Sequence, residues 1–308
     1  MNLFKIYIVI VAYNGMHWIE KCLNSVLNSS IFVSVIVVDN YSEDGTVDYI
    51  KTNFTEVFLS EQNENLGFGK ANNIGISLAM KNKADYVFLL NQDAWVEIDT
   101  IEKLIKAHQK EQYFGIVSPM HLNGNGDAFD TGFLNYISGN RCENLVSDMF
   151  LDDLKETIYP IHFINAAGWL LSKKCIETVG GFSPSFFHYG EDENYIQRTK
   201  YHNLSVGVLA NSIIFHDREF RSGNAYFDNK LILYERNIIH KASNPFIVFS
   251  IGNEYSNLIK KGIIALLKFN FKEIRTTFLK FKILGKMDKK GIVNNKLISK
   301  SIGKSFLE

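Results

Sequence analysis

The chain has 308 residues, 33 basic and 33 acidic, so its formal net charge is zero, and 46% of its residues are hydrophobic. That length allows one large domain or two of ordinary size. The apolar fraction excludes a disordered chain, and the lack of a basic excess argues against nucleic acid as a partner. The three cysteines, Cys22, Cys142 and Cys175, are far apart, odd in number and form no CxxC pair. They indicate neither a zinc finger nor a disulfide framework and fit a reducing compartment. No apolar run approaches the ~18–20 residues of a membrane span. The run FKIYIVIVAYN leaves no room for a signal peptide, so a cytoplasmic chain is expected.

The charge is unevenly placed. Residues 1–250 carry 20 basic and 29 acidic side chains, a net of −9, whereas residues 251–308 carry 13 basic and 4 acidic, a net of +9. A sign split between segments points to two tasks, and a basic tail to an acidic partner.

Ile6–Val11 (IYIVIV) is an apolar run too short for a helix and rich in branched residues, which predicts a strand buried on both faces. A helical pattern follows, with Trp18, Cys22, Val26 and Leu27 on one face. Val33–Val38 predicts a second buried strand ending at Asp39, followed by the loop segment DNYSEDGT, in which Asp44 and Thr46 fit a turn and helix cap. Thr46–Lys51 begins a helix, and Val57–Leu59 is a short third strand. NLGFGKANN (65–73) turns into a helix over Ile74–Met80, and Tyr86–Leu90 is a fourth strand ending at Asn91-Gln92-Asp93. Such alternation predicts an α/β fold with a mostly parallel central sheet flanked by helices. Ligands then sit outside the carboxyl ends of the strands, where Asp39 and Asp93 both lie.

Six blocks in this order resemble a family 2 glycosyltransferase with the nucleotide-sugar-binding GT-A fold: VIVAYNG (9–15), VVDNYSEDGT (37–46), NENLGFGKANNIG (63–75), LLNQDAWV (89–96), AAGWLLSKKCIETVGGFSPSFFHYGEDENYIQR (166–198) and His216. The resemblance spans residues 6–220 and is nearest to a bacterial, rhamnosyltransferase-like branch. It implies a catalytic domain over 1–225, with a donor half to about 97 and an acceptor half from about 98. A helical extension over 226–308 follows.

The residues can be read chemically beside that resemblance. A carboxylate at Asp39 can accept from an imide N–H, which uracil and thymine present; capping of the Asn-, Ser- and Asp-rich loop is the competing reading. The backbone of Ala12 and Tyr13 is expected to border the nucleotide. The GxG of NLGFGKANN lacks the third glycine and follows the third strand, so it fails as a dinucleotide motif. Its glycines are expected to let backbone approach the nucleotide, with Lys70 or Asn72 facing ribose or phosphates, unless both merely open the helix. Asn91-Gln92-Asp93 stands at the family's DxD position. A diphosphate leaving group needs charge neutralisation, which a Mn²⁺ or Mg²⁺ ion supplies. Asp93 is the strong ligand candidate, Asn91 is a departure common in this branch, and His216 resembles the family's later metal ligand.

Glu191-Asp192 matches the family's ED pair. A hydroxyl attacking an anomeric carbon opposite the diphosphate needs a carboxylate to take its proton. The resemblance assigns that to Asp192, with Glu191 orienting the acceptor or loop; an acidic helix N-terminus is the alternative. Asn194 replaces a further family Asp. Gly168 and Trp169 fit a floor and stacking face under the sugar, unless they are core. Arg218 and Arg221 could meet the diphosphate. Residues 121–160 match no motif and are expected to shape the acceptor side.

In the tail, at 100° per residue, Lys260, Lys261, Lys268, Lys272, Arg275, Lys282 and Lys286 share one arc. Ile259, Ile263, Leu266, Leu267, Phe271, Ile274, Phe278 and Phe281 share another. This amphipathic pattern suits an anionic membrane surface reached through 257–308, or packing on the catalytic domain or a twin subunit in a homodimer. The function expected is inverting transfer from a UDP- or dTDP-sugar to a glycan or lipid-linked acceptor, in the cytoplasm or at the inner face of its membrane. A sugar nucleotidyltransferase would need a Gly-rich basic loop that AYNGMHWIEK lacks. A non-catalytic nucleotide-sugar-binding protein is favoured by Asn91 and Asn194 and opposed by Asp93, Asp192 and His216.

Overall fold

The computed structural model describes residues 4–218 and 229–308. Its first strands form where the apolar runs predict them: β1 (Ile6–Ala12), β2 (Ser34–Asp39), β3 (Phe58–Glu61) and β4 (Tyr86–Asn91). The second half adds β5 (Ala94–Val96), β6 (Phe114–Asn123), β7 (Tyr159–Pro160), β8 (Gly168–Ser172) and β9 (Ser205–His216). Among the described residues these make one sheet in the order β3-β2-β1-β4-β8-β6-β9-β5, with β7 on β9. The block β3-β2-β1-β4 is parallel, and β8 joins β4 antiparallel. The α/β expectation holds, with a mixed sheet whose β3-β2-β1-β4 half is parallel.

The helices are α1 (Ile19–Leu27), α2 (Thr46–Asn53), α3 (Phe68–Lys81), α4 (Thr100–Lys110), α5 (Thr131–Ile137), α6 (Leu145–Phe150), α7 (Lys173–Val179) and α8 (Glu191–Tyr201). α1 buries Ile19, Cys22, Leu23 and Val26, the i, i+3, i+4, i+7 stripe of a helix lying on a sheet. Ile8 and Ile10 face the layer with α1 and α4, and Val9 faces the layer with α3, α7 and α8. This two-sided burial is why the strands read as unbroken apolar runs. Each such side chain contributes about 1.5–3 kcal/mol relative to exposure. α7 stops at Gly180, whose φ of 81° is the left-handed region glycine favours.

Register decides where chemistry can occur. Ala12 pairs with Asp39, and Val11 with Asn91, so the carboxyl ends of β1, β2 and β4 finish level. β9 has a register irregularity where Pro119 and Met120 of β6 meet Leu209 and Ile213, after which His216 lies opposite Asn123 and Ala94. Asp39 and Asn91 thereby close neighbouring parallel strands, and His216 is set beside the start of β5, next to Asp93.

After residue 229 come α9 (Lys230–Ser243), α10 (Ile251–Leu267), α11 (Phe271–Lys286) and α12 (Lys289–Ser299). They share a small apolar core of Ile238, Ala242, Ile251, Leu258, Leu284, Met287 and Ile292. The chain then returns to the sheet domain: Gly181 N–H donates to Ser305 O at 2.7 Å, and Glu308 N–H to Ser77 Oγ at 3.1 Å. The helical pattern over 259–286 is a helix pair, broken at 268–270. Asn270 caps α11 by accepting the Glu273 amide at 3.0 Å.

Candidate active site

Asp39 closes β2 and is 2% exposed. Its Oδ2 accepts the Ser42 amide at 3.0 Å, while Oδ1 is buried with no hydrogen-bond partner among the described residues. A buried acceptor left unmade is costly, and it marks a place for a donor from outside the chain. Beside it Asn40 bridges to the next loop: its Nδ2 donates to Asn65 Oδ1 at 2.9 Å and its Oδ1 accepts the Leu66 amide at 2.8 Å. Asp44 accepts from the Met16 and Thr46 amides, and Thr46 Oγ1 accepts from the Gly15 amide. The loops after β1 and β2 are therefore tied together, as turn chemistry predicts.

The Ala12 carbonyl and both polar backbone groups of Tyr13 already have partners within the protein. Ala12 O accepts the Asn40 amide at 2.7 Å. The Gln92 side chain holds Tyr13 twice, accepting its N–H at 2.8 Å and donating to its C=O at 3.0 Å. What Tyr13 offers outward is its ring, 45% exposed. The expectation for NLGFGKANN also changes, because α3 starts at Phe68 rather than Ile74. Asn72 is buried and donates back to Phe68 O at 3.0 Å, so it serves the helix and not a phosphate. Lys70 is exposed on the first turn. The glycines make room for protein: a Cβ on Gly67 would stand 2.1 Å from Phe187 O, and one on Gly69 3.0 Å from Phe182 Cβ and 3.6 Å from Glu191 Cβ.

Asp93 and His216 meet, with Asp93 Oδ1 3.4 Å from His216 Nε2, and Asn91 Nδ2 lies 3.5 Å from the same nitrogen. Behind the ring stands Asp130, which no motif singled out. Its Oδ1 caps α5 through the Phe133 amide at 2.8 Å, and its Oδ2 lies 3.3 Å from His216 Nδ1 and 3.1 Å from Arg218 Nε. Burial opposes its charge, but His216 and Arg218 outweigh that and hold its carboxyl well below the usual range. Nδ1 lies on the Asp130 side and Nε2 on the Asp93 side, the placement in which a carboxylate stands behind a metal-binding imidazole, with Nδ1 making no well-aligned hydrogen bond among the described residues. Among the described residues no three His, Cys, Asp or Glu converge as a metal set. Two ligands 3.4 Å apart are nevertheless within a few tenths of an ångström of neighbouring corners of an octahedron, about 3.0 Å apart for bonds of about 2.1 Å. The other corners would be left to phosphate oxygens and water.

Glu191 and Asp192 open α8 after Tyr189 (φ 65°) and Gly190 (φ 103°), two consecutive left-handed residues that turn the chain into the helix. Glu191 is buried with Oε2 unpartnered among the described residues. Asp192 Oδ1 accepts the Glu193 amide at 2.8 Å. Burial raises both carboxyls above their ordinary range; Asp192 raises Glu191 further, and the Glu193 and Ala166 amides partly offset the rise at Asp192. An acid held partly neutral is suited to exchanging a proton near neutral pH. Ala166-Ala167 runs between the two ends of the site: Ala167 O accepts the Asn91 amide at 3.0 Å, and the Ala166 amide lies near enough to Asp192 to favour its charged form. Asn194 is buried and reaches Ser243 O at 3.4 Å, a tie between α8 and the end of α9.

Gly168 and Trp169 are not a sugar floor. Trp169 is fully buried on β8 and stacks on Phe182 with centroids 6.1 Å apart. A Cβ at Gly168 would meet Ile214 Cδ1 at 2.7 Å. In sequence a core tryptophan and a stacking platform look alike, and here packing wins. Arg221 lies outside the described residues, whereas Arg218 is present and paired with Asp130.

Comparison with known proteins yields a consistent set of matches. The sequence signature described as "Glycosyl transferase family 2" matches residues 7–179. The chain is 33% identical over 113 residues to the SPbeta prophage-derived glycosyltransferase SunS of Bacillus subtilis, covering 36% of this chain and 26% of SunS. It is 23% identical over 209 residues to the low-salt glycan biosynthesis hexosyltransferase Agl10 of Haloferax volcanii, covering 65% of this chain and 63% of Agl10. The chain thus spans about a quarter of the length of SunS and under two thirds of that of Agl10. Among solved structures, S. aureus TarS 1–349 in complex with UDP-GlcNAc superposes with a TM-score of 0.57 at 14% identity, over 96% of this chain and 90% of that one.

Proposed function

Because this chain belongs to glycosyl transferase family 2 and is a glycosyltransferase, we propose that it moves a hexosyl or deoxyhexosyl group from a UDP- or dTDP-sugar to a hydroxyl of a glycan or lipid-linked acceptor, with inversion. The motif spellings around Asn91 and Asp192 favour the rhamnosyltransferase-like branch and a role in bacterial cell-surface polysaccharide synthesis. The work is divided between a catalytic unit over 1–225 and a helical extension over 226–308. Its place is the cytoplasm, at the inner face of the membrane.

The observation that carries this reading is Asp192. It is a carboxylate with a raised pKa, held by the Glu193 amide on the first turn of α8 and close to the Ala166-Ala167 segment, whose Ala167 carbonyl accepts the Asn91 amide. In the proposed reaction Asp39 Oδ1 accepts the imide N–H of the base, which discriminates uracil or thymine from purines. The Tyr13 ring covers the nucleotide. Asp93 and His216 Nε2 would hold a Mn²⁺ or Mg²⁺ ion, which when bound neutralises charge on the departing diphosphate. Asp130 orients His216, and Arg218 adds positive charge beside it. Asp192 takes the acceptor proton as the hydroxyl attacks the anomeric carbon from the face opposite the diphosphate, and Glu191 positions the acceptor. TarS binds UDP-GlcNAc on the same fold, which supports a uridine donor here.

The test is a thermal-shift panel of nucleotide sugars with and without Mn²⁺, followed by transfer or donor hydrolysis with the best binder. UDP- or dTDP-sugars should stabilise the protein most, since a ligand of the native state raises apparent stability. Equal shifts for all nucleotides, or binding without any turnover, would contradict the proposal.

A further inference from the structure

Helices α10 and α11 form an antiparallel hairpin: Gly262 lies against Thr277, and Tyr255 packs edge-on to Phe281. The seam is made by small or buried residues, Leu258, Ala265, Thr277 and Leu284. Most of the apolar arc, expected either to meet a membrane or to pack against protein, lies exposed. One residue beyond the seam on each helix come Ile259, Ile263, Leu266 and Phe278, all more than half exposed. In antiparallel helices a 100° step from the seam turns both helices' side chains to the same side, so these residues share a face. That face runs to the hairpin corner, where Leu267 is 76%, Phe269 79% and Phe271 76% exposed. Scattered exposed apolar residues need no explanation, but a continuous face ending in an aromatic corner does.

Charge decides what covers it. Lys268 and Lys272 flank the corner, both exposed, within a segment of net charge +9. A second copy of this chain would bring lysines against lysines. An anionic lipid surface complements both features, because apolar side chains enter the acyl boundary while ammonium groups meet lipid phosphates. No helix among the described residues is long and apolar enough to cross a membrane, so contact is by insertion of the corner. On its other side the helical unit reaches the first turn of α8, next to Glu191 and Asp192: α9 carries His240, whose Nε2 is 3.2 Å from Glu193 Oε2.

We propose that the α10–α11 hairpin docks the protein on an anionic bilayer, inserting Leu267, Phe269 and Phe271 and holding lipid phosphates with Lys268 and Lys272. The docking stands independently of the transfer reading; only its purpose, bringing the site to a lipid-linked acceptor, rests on that reading. The experiment is flotation of the full chain with phosphatidylcholine vesicles, alone or with about a third phosphatidylglycerol, at about 0.05 and 0.5 M salt. It is run for wild type, for Leu267→Ser/Phe269→Ser/Phe271→Ser and for Lys268→Glu/Lys272→Glu, with light scattering and melting curves on each. Expected is binding to anionic vesicles only, weakened by salt. The serine variant should lower partitioning at least about tenfold and the glutamate variant by a similar factor, with unchanged melting because the altered side chains are exposed. Indifference of wild type to anionic vesicles at low salt overturns the proposal. So does undiminished binding by both variants, or a dimer in solution that the serine variant dissolves.

Discussion

Replacing Asp130 tests how the His216 end of the site is held. Its contacts divide between two tasks: Oδ1 caps α5, and Oδ2 faces His216 and Arg218. Asp130→Ala removes both. Loss of the cap costs about 1 kcal/mol. Loss of the carboxylate beside a buried imidazole and an Arg218 side chain 28% exposed adds about 1–2 kcal/mol, below the 3–5 of a fully buried pair because water reaches the guanidinium. The sum, about 2–3 kcal/mol, corresponds to a melting shift on the order of 4–10 °C. Asp130→Asn keeps one oxygen, enough for the cap, and should cost about 1 kcal/mol or less. Both variants should weaken Mn²⁺-dependent UDP binding by about 10–100-fold, the usual effect of removing an outer-shell partner. Calorimetric titration of UDP at fixed Mn²⁺, run beside thermal melts, separates the two effects. An Asn variant with wild-type Mn²⁺ dependence would refute the claim that Asp130 acts through His216.

Other outcomes follow from the same geometry. Asp39→Ala should abolish the preference for UDP or dTDP over ADP and GDP in thermal shift, leaving melting of the free protein little changed; a surviving preference removes Asp39 from base recognition. Transfer should rise with pH through the raised pKa of Asp192, with a midpoint above the ordinary aspartate value of about 3.9. A limb centred at or below that value contradicts burial as the cause. Because Glu191 is raised by burial and by Asp192, its folded-state cost grows as pH climbs above its unfolded value. Glu191→Gln should therefore stabilise the protein more at pH 8 than at pH 5, read from melting curves, and slow transfer less than Asp192→Asn does. Gly67→Ala must clash with Phe187 O at 2.1 Å and strain a φ of 80°, so it should displace the loop before α8 and depress both stability and transfer; wild-type values for both would contradict this packing.

The N-terminal, parallel half of the sheet was largely legible in the sequence. Its strands are buried on both faces, so β1, β2 and β4 appear as apolar runs, and Asp39 and Asn91 announce themselves by ending them. Motif order carried Asp93, Asp192 and His216. What was misread depends on distant partners. Asn72 reads in sequence as either a phosphate contact or a helix opener because nothing local decides whether α3 begins at Phe68 or at Ile74. Trp169 looked like a platform because its neighbours Phe182 and Tyr195 are far along the chain. Asp130 could be recognised as a cap before Thr131, but its place behind His216 exists only once β6 pairs with β9. The tail kept a 100° periodicity across 268–270, which concealed the corner between α10 and α11.

The central claim is that Asp192 takes the acceptor proton in an inverting displacement, and Asp192→Asn tests it most directly. The substitution keeps size and some hydrogen bonding to the Glu193 amide while removing the ability to accept a proton. Transfer rate and donor affinity are measured for wild type and variant, with the product anomer assigned by NMR. The account predicts a fall in transfer of about 10²–10⁴-fold, donor affinity within about twofold of wild type, and an inverted anomer from the wild-type enzyme. Near wild-type transfer by Asp192→Asn, or a product with retained configuration, would contradict it.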